Sequence, residues 1–400
     1  MEAKMTEMTD RERYLAVMHR QPGVRTMLWE FGYWVETVEK WYAEGLPRSP
    51  YAPPPGMPGG NGFFAGGLPF PHQPGLVRYL DLDVRTQLGL DLSSVRVPLV
   101  WRACPLFAEM VLEEDETSRV MINADGVKVR VRKDNESVPQ YLGWPVHDRA
   151  SWEQLKAERF TPDVRKRFPE RWDLLAPGYR RRDYPLGVVM DGFFAAPREL
   201  LGVEHQLMMY YDDPQLMLDI NEHLLQTWLA TLEELLAQVD LDFVYIWEDM
   251  SFKTGPLLSP RMFERFLSPY YRRLTSYLRG HGIDIICVDT DGDCSKLIPL
   301  YLKAGVAGMY PFECQAGMDI VEVRRRFPEL LIQGGLDKAK VAEGKAAIDA
   351  ELEAKLPFML SQGGYIPYCD HMVPPDVSWE NFRYYRQRVK EYVERYADAR

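Results

Sequence analysis

Residues 242–313 read DFVYIWEDMSFKTGPLLSPRMFERFLSPYYRRLTSYLRGHGIDIICVDTDGDCSKLIPLYLKAGVAGMYPFE, and their rhythm decides the fold. Three short apolar runs, 242–248, 283–289 and 306–312, alternate with amphipathic stretches. Residues 260–279 place Met262, Phe263, Phe266, Tyr270 and Leu274 at helical spacing, so one stripe of a helix is apolar. A strand, a long helix and a second strand make a right-handed crossover in a parallel sheet. The rhythm continues outward. Residues 24–30 and 186–191 are strand candidates upstream, 330–333 and 364–369 downstream, and 214–239 carries Leu216, Met217, Ile220, Leu224, Leu225 and Trp228 at helical spacing. Seven such runs favour one α/β domain over residues 1–400, a (β/α)8 TIM barrel whose eighth strand is unassigned. No fixed-period repeat competes with that reading.

Two stretches interrupt the rhythm. Residues 46–75 are dense in proline and glycine and read as a long loop at the barrel mouth. Residues 106–142 alternate as strands 107–113, 119–122 and 127–131 around Asn123-Ala-Asp-Gly126, the turn chemistry of an inserted β-hairpin.

Composition excludes several classes. Charged residues make up 27% and hydrophobic ones 46%, as in a soluble globular enzyme, and long disorder is excluded. The formal net charge of −11 argues against nucleic-acid or acidic-membrane partners, which require basic patches. Cys104, Cys287, Cys294, Cys314 and Cys369 are odd in number and form no CxxC pair, as expected of free thiols in a reducing compartment. The charged N-terminus has no apolar core of a signal peptide, and no run of 18 apolar residues occurs. A cytoplasmic protein is expected.

In such a barrel the active site lies at the C-terminal strand ends. Six of the seven candidate strands end in a carboxylate: Glu30, Asp191, Glu248 (followed by Asp249), Asp289, Glu313 and Asp370 (followed by His371). An acid after a strand often caps the next helix, but Glu is a poor cap and three of the six are Glu. Convergence of several would require a cation, a metal or protonated carboxyls. Trp29, Tyr33, Trp34, Tyr245, Trp247, Tyr310 and Tyr368 flank these acids. Strand alternation favours a core role for each ring, and the sharper reading is a cage for a methylated ammonium group. In Asp289-Thr-Asp-Gly-Asp293 the acids alternate, yet the Glu that completes an EF-hand is missing. Asp293 is expected to cap the following helix, leaving Asp289 and Asp291. Cys369 is either an activated thiol or metal ligand beside His371, or an inert core cysteine. Arg25 and Arg198 are the basic residues placed near the strands. Gly334-Gly335 reads as a tight turn with Asp337 capping the next helix.

Together LLSPRMFERFLSPYYRRL, DGDCSKLIPLYLKAGVAGMYPFE, AGMDIVEVRRRFPELLIQGGLD and IPYCDHMVPPDVSWENFRYY resemble the uroporphyrinogen decarboxylase superfamily, which includes zinc-dependent methylcobalamin:thiol methyltransferases. The resemblance covers the chain from TDRERYLAVMHRQP onward and implies a (β/α)8 barrel. Decarboxylases of that family carry an arginine-rich RQAGRY signature after the first strand, whereas this chain has WEFGYWVET, with Glu30 and no arginine. An acid-rimmed mouth would repel a polycarboxylate porphyrinogen. Aligning on Gly292 puts Asp289 and Asp291 where the methyltransferases have the His and Cys of their zinc site, and Cys369 matches their later Cys. The resemblance implies methyl transfer between a small donor or acceptor and a corrinoid (methylcobalamin), free or carried by a small corrinoid protein. In that scheme Asp289, Asp291 and Cys369 hold zinc or the thiol. Glu248, Glu313, His371 and Asp191 act on protons or orient substrate, and Glu30, Trp34, Arg198 and Tyr368 line the substrate. The alternatives are a decarboxylase acting on a small acid or modified tetrapyrrole, and a barrel that binds a corrinoid or tetrapyrrole without turnover.

Overall fold

The computed structural model describes residues 8–49, 82–91, 94–133 and 139–398. Most of the Pro/Gly-rich loop read at 46–75 lies outside these residues. Seven parallel strands follow one another in the order Val95–Arg96, Leu186–Asp191, Phe243–Trp247, Ile286–Thr290, Gly308–Pro311, Leu331–Gln333 and Tyr365–Ile366. Each pairs with its sequence neighbour through a helical crossover, as the strand–helix rhythm requires. Val95–Arg96, unassigned from sequence because it is only two residues long, pairs with Leu186 and Gly187.

Residues 24–30 are extended but form no ladder. The Thr26 hydroxyl donates to the Tyr365 carbonyl at 2.6 Å on one side, and the Asp91 amide donates to the Leu28 carbonyl at 3.2 Å on the other. This segment therefore lies beside the outer strand Tyr365–Ile366 and touches Asp91, in the stretch ahead of the other outer strand, Val95–Arg96. The expected helix over 260–279 is two helices, Pro260–Phe266 and Ser268–Gly280. Pro269 has no N–H to continue the first helix, and its ring clashes with the preceding turn. The helix read over 214–239 starts as expected and ends three residues early, as Pro214–Leu236, capped by Asp213 accepting from the Leu216 amide.

The inserted segment is larger than a hairpin. Met110–Glu114, Ser118–Ile122, Lys128–Arg132 and Gln140–Gly143 make a four-stranded antiparallel meander. The Asn123–Gly126 turn forms where expected, with the Asn123 side chain accepting from the Asp125 and Val127 amides.

Alternation along the strands separates two apolar clusters, and this separation positions the site. Val244, Ile246, Ile286, Val288, Met309 and Ile332 face the surrounding helices. Phe243, Tyr245, Ile285, Cys287, Tyr310, Leu331, Ile366 and Tyr368 face inward with Met27 and Trp29. The helix Asp10–Met18, started by a Thr9–Glu12 capping box, seals the strands' N-terminal end. Its Tyr14 stacks on Trp29 at 5.4 Å and meets the Tyr245 hydroxyl at 3.0 Å. The described residues thus fill the end where the strands start, and the acids at the other end form the candidate mouth. No helix among the described residues is long and apolar enough to cross a membrane.

Candidate active site

Parity along each strand decides which carboxylates reach the mouth. In the 243–247 strand the odd positions point inward, so Trp247 does and Glu248 does not. Glu248 is fully buried behind the sheet. It accepts from the Phe194 and Ala195 amides at 2.9 and 2.8 Å and from the Tyr271 hydroxyl. It therefore caps the helix Ala195–Leu201, and burial pushes its carboxyl up to about 7 against those three donors. Glu30 also faces the helix layer. Its Oε1 accepts from the Cys369 and Phe31 amides, and its Oε2 from Arg386 at 3.2 Å. Asp370 is fully buried and joins two loops, accepting from the Cys314 amide and from both the amide and Nζ of Lys338.

Asp191, Asp289 and the loops beyond them form the mouth. Asp191, Trp247, Asp289 and Tyr310 are register partners on four adjacent strands and form one inward layer. Arg102 forks onto Asp191, with Nε–Oδ2 and Nη2–Oδ1 both 2.8 Å. The same guanidinium reaches Asp125 at 3.1 Å, so the turn of the inserted meander is tied to the mouth. Arg198 donates to the Asp249 carbonyl at 2.6 Å and its Oδ2 at 3.1 Å, and lies 4.8 Å above the Trp247 ring. Trp247, for which a core role was expected, thus has the guanidinium groups of both Arg198 and Arg102 over its ring. Burial raises the Asp249 and Glu199 carboxyls despite the nearby arginines.

Asp291 and His371 meet at 3.3 Å across the opening. Burial disfavours the imidazolium, but the hydrogen bond and charge of Asp291 outweigh it and hold His371 above its ordinary value. The ring packs on Phe31 at 5.1 Å, and Phe31 in turn lies 6.4 Å from Tyr310 and 6.0 Å from Tyr368. Glu313 accepts from the Gly292 amide at 2.9 Å, fixing the loop that carries Asp291. Beneath this pair Asp289 is buried. Its burial, with Asp291 and Asp249 close by, pushes its carboxyl well above the usual range.

Of the residues singled out from sequence, the mouth gathers Asp191, Asp289, Asp291, Glu313, His371, Arg198 and Tyr368. It does not gather Glu30, Glu248 or Cys369. Trp34 precedes the helix Val35–Ala43, its amide donating to the Val373 carbonyl. Arg25 pairs with Asp91 instead of reaching the mouth. Asp337 caps Lys338–Glu343 as read, whereas Asp293 accepts from the Ser295 amide ahead of the helix Ile298–Lys303.

The zinc set is not assembled. Cys369 is fully buried in the helix-facing cluster, one parity away from Tyr368, and burial pushes its thiol well above its ordinary value. Among the described residues no group of three or more His, Cys, Asp or Glu side chains is arranged to hold a metal ion. Asp289, Asp291 and Cys369 therefore do not share a coordination sphere. Sequence reading missed Arg102, Glu199, Asp125 and Lys338. Arg102 lies beyond a strand too short to recognise, and Asp125 had been assigned only to a turn.

A parallel α/β sheet with acid–base groups at its C-terminal end is a common enzyme framework, and the comparisons narrow it. The family profile described as uroporphyrinogen decarboxylase (URO-D) matches residues 118–392, and the chain belongs to that family. Among solved structures, a methyltransferase from Methanosarcina mazei is similar over 98% of this chain and 100% of that one, with a TM-score of 0.58 at 15% identity. No curated protein matches the sequence significantly.

Proposed function

We propose that this chain is a methyltransferase of the URO-D family that moves a methyl group between a small substrate held at the mouth and a corrinoid presented by a partner protein. The observation that carries this reading is the Asp291–His371 pair at the opening, above an aromatic wall of Phe31, Tyr310 and Tyr368. His371, kept protonated by Asp291 to a higher pH than usual, supplies a proton to a departing heteroatom or receives one from an incoming nucleophile. The wall shields the transferring methyl from water. The name of the similar solved structure is in keeping with this chemistry. The methyl-carrying corrinoid is the second substrate, and residues 24–30 would complete a closed barrel beneath it.

The arginines favour this over uroporphyrinogen decarboxylation. Arg102 and Arg198 are both committed to carboxylates of the chain, leaving a polycarboxylate to displace internal ion pairs. Decarboxylation of a smaller acid is a second reading, favoured by Asp289, whose carboxyl is pushed up by burial and by Asp291 and Asp249 and so holds a proton more readily than an exposed one, as a group that protonates a carbanion must. The test is transfer between methylcobalamin and a panel of small thiols and amines, followed by the visible spectrum of the corrinoid. Loss of transfer in His371→Gln with the fold retained is expected. Turnover of uroporphyrinogen at about 1 per second or faster, without methyl transfer, would replace this reading with the lyase.

A further inference from the structure

The inward layer at the mouth alternates in chemistry across four strands: Asp191, Trp247, Asp289, Tyr310. Its two carboxylates are treated differently. Asp191 is answered by a two-pronged Arg102. Asp289 is 6% exposed, and among the described residues no hydrogen bond or ion pair reaches its carboxylate. Asp249 and Asp291, both near enough to act on it, add charge of the same sign, and among the described residues Arg96 adds an opposing charge. Buried carboxylates are ordinarily paired or hydrogen-bonded, because an unanswered one costs several kcal/mol. An unanswered carboxylate at the floor of an aromatic opening is a place kept for a cationic group.

The surroundings restrict the cation. A metal ion requires several converging donors, and no such group is present among the described residues. A primary ammonium brings three N–H donors that each need an acceptor, whereas the nearby Asp249 and Asp291 are engaged by Arg198 and His371 and Asp289 is flanked in register by Trp247 and Tyr310. Tyr310 continues into Phe31 and Tyr368. A methylated ammonium makes no such demand, and aromatic faces attract it. We propose that Asp289, with Tyr310, Phe31 and Tyr368, forms a binding site for a small methylated ammonium compound. The site concerns recognition alone and stands whether or not methyl transfer is the reaction.

The experiment is calorimetric titration of the full chain with choline and with 3,3-dimethylbutan-1-ol, the uncharged analogue of the same shape. Choline should bind, and the alcohol should bind at least about tenfold more weakly. Asp289→Asn, which keeps the shape and removes the charge, should reduce choline affinity by a similar factor and leave the alcohol unchanged. Phe31→Leu should weaken choline too, and serves if the Asn variant fails to fold. Since Asn removes an unanswered charge, its melting temperature should equal or exceed the parent's. Equal affinity for the two compounds, choline binding unchanged in Asp289→Asn, or no choline binding at tens of millimolar would each overturn the assignment. These results do not depend on any transfer assay, so failure of methyl transfer and failure of this site are separable.

Discussion

Replacing Glu30 by Gln tests where the first strand-end acid acts. Sequence position makes Glu30 a candidate for substrate contact, whereas the structure ties it to Arg386 behind the sheet. The side chains of Glu30 and Arg386 are 2% and 1% exposed. Arg386 donates to Glu30 through Nη1, while its Nε and Nη2 atoms have no hydrogen-bond partner among the described residues, so Glu30 is the chief answer to that buried charge. Gln keeps the shape and its amide oxygen can still accept from the Cys369 and Phe31 amides, which isolates the loss of charge. Breaking a buried pair by removing one partner costs about 3–5 kcal/mol. At about 2.1 cal/mol/K of unfolding entropy per residue, a 400-residue chain has roughly 0.8 kcal/mol/K, so the melting temperature should fall by about 4–6 °C. Calorimetry on the purified protein measures this. Adding Arg386→Met should recover most of the loss, because the uncompensated charge is then gone. Ligand affinity at the mouth should hold in both variants. A Glu30→Gln protein that melts like its parent yet loses ligand affinity would refute the reasoning and return Glu30 to the site.

The other expectations follow from the same geometry. Glu248 is raised to about 7 in the folded protein, above an unfolded value near 4.3, so the folded state holds the extra proton between those values. Stability should therefore fall as pH rises through that window by about 4 kcal/mol, and Glu248→Gln should flatten the melting-temperature profile there. A Cβ at Gly192 would stand 2.1 Å from the Glu248 carboxyl carbon, so Gly192→Ala should cost about 1–3 kcal/mol by displacing that cap, measured by thermal melting. Asp125→Ala should leave the melting temperature within about 1 kcal/mol equivalent while exposing the 110–143 meander to limited proteolysis, since Arg102 loses its hold on the turn. Asp291→Asn should shift the pH dependence of transfer downward, because His371 loses the hydrogen bond and charge that keep it protonated; an unmoved profile would remove His371 from the acid–base step.

The parallel α/β architecture was legible because long helices announce themselves by apolar spacing and the strands by β-branched and aromatic runs. Leu186–Asp191 matches its expected bounds residue for residue. What failed was short or depended on partners. Val95–Arg96 is a strand only because Leu186 and Gly187 pair with it, and 24–30 looks like a strand yet bonds largely through side chains. At the site, chain position located the strand ends correctly but not the direction of each side chain. Cys369 and Tyr368 are adjacent in sequence and lie on opposite faces of the sheet. The cations Arg102 and Lys338 come from loops with no periodic signal.

Those cations change what the row of acids can do. A rim of six converging carboxylates would demand metal or mass protonation. The structure instead divides the six by parity and by partner. Glu30 and Glu248 serve the helix layer, and Asp370 and Glu313 fasten loops through Cys314, Lys338 and Gly292. Asp191 is matched by Arg102, which leaves Asp289 and the Asp291–His371 pair as the groups not consumed by structure. On the proposed function, chemistry at this mouth would pass through those three, because every other acid on the row would have to give up a partner inside a medium where lost partners are costly. A substrate that supplies a positive group to Asp289 and a heteroatom to His371 would meet both remaining demands at once.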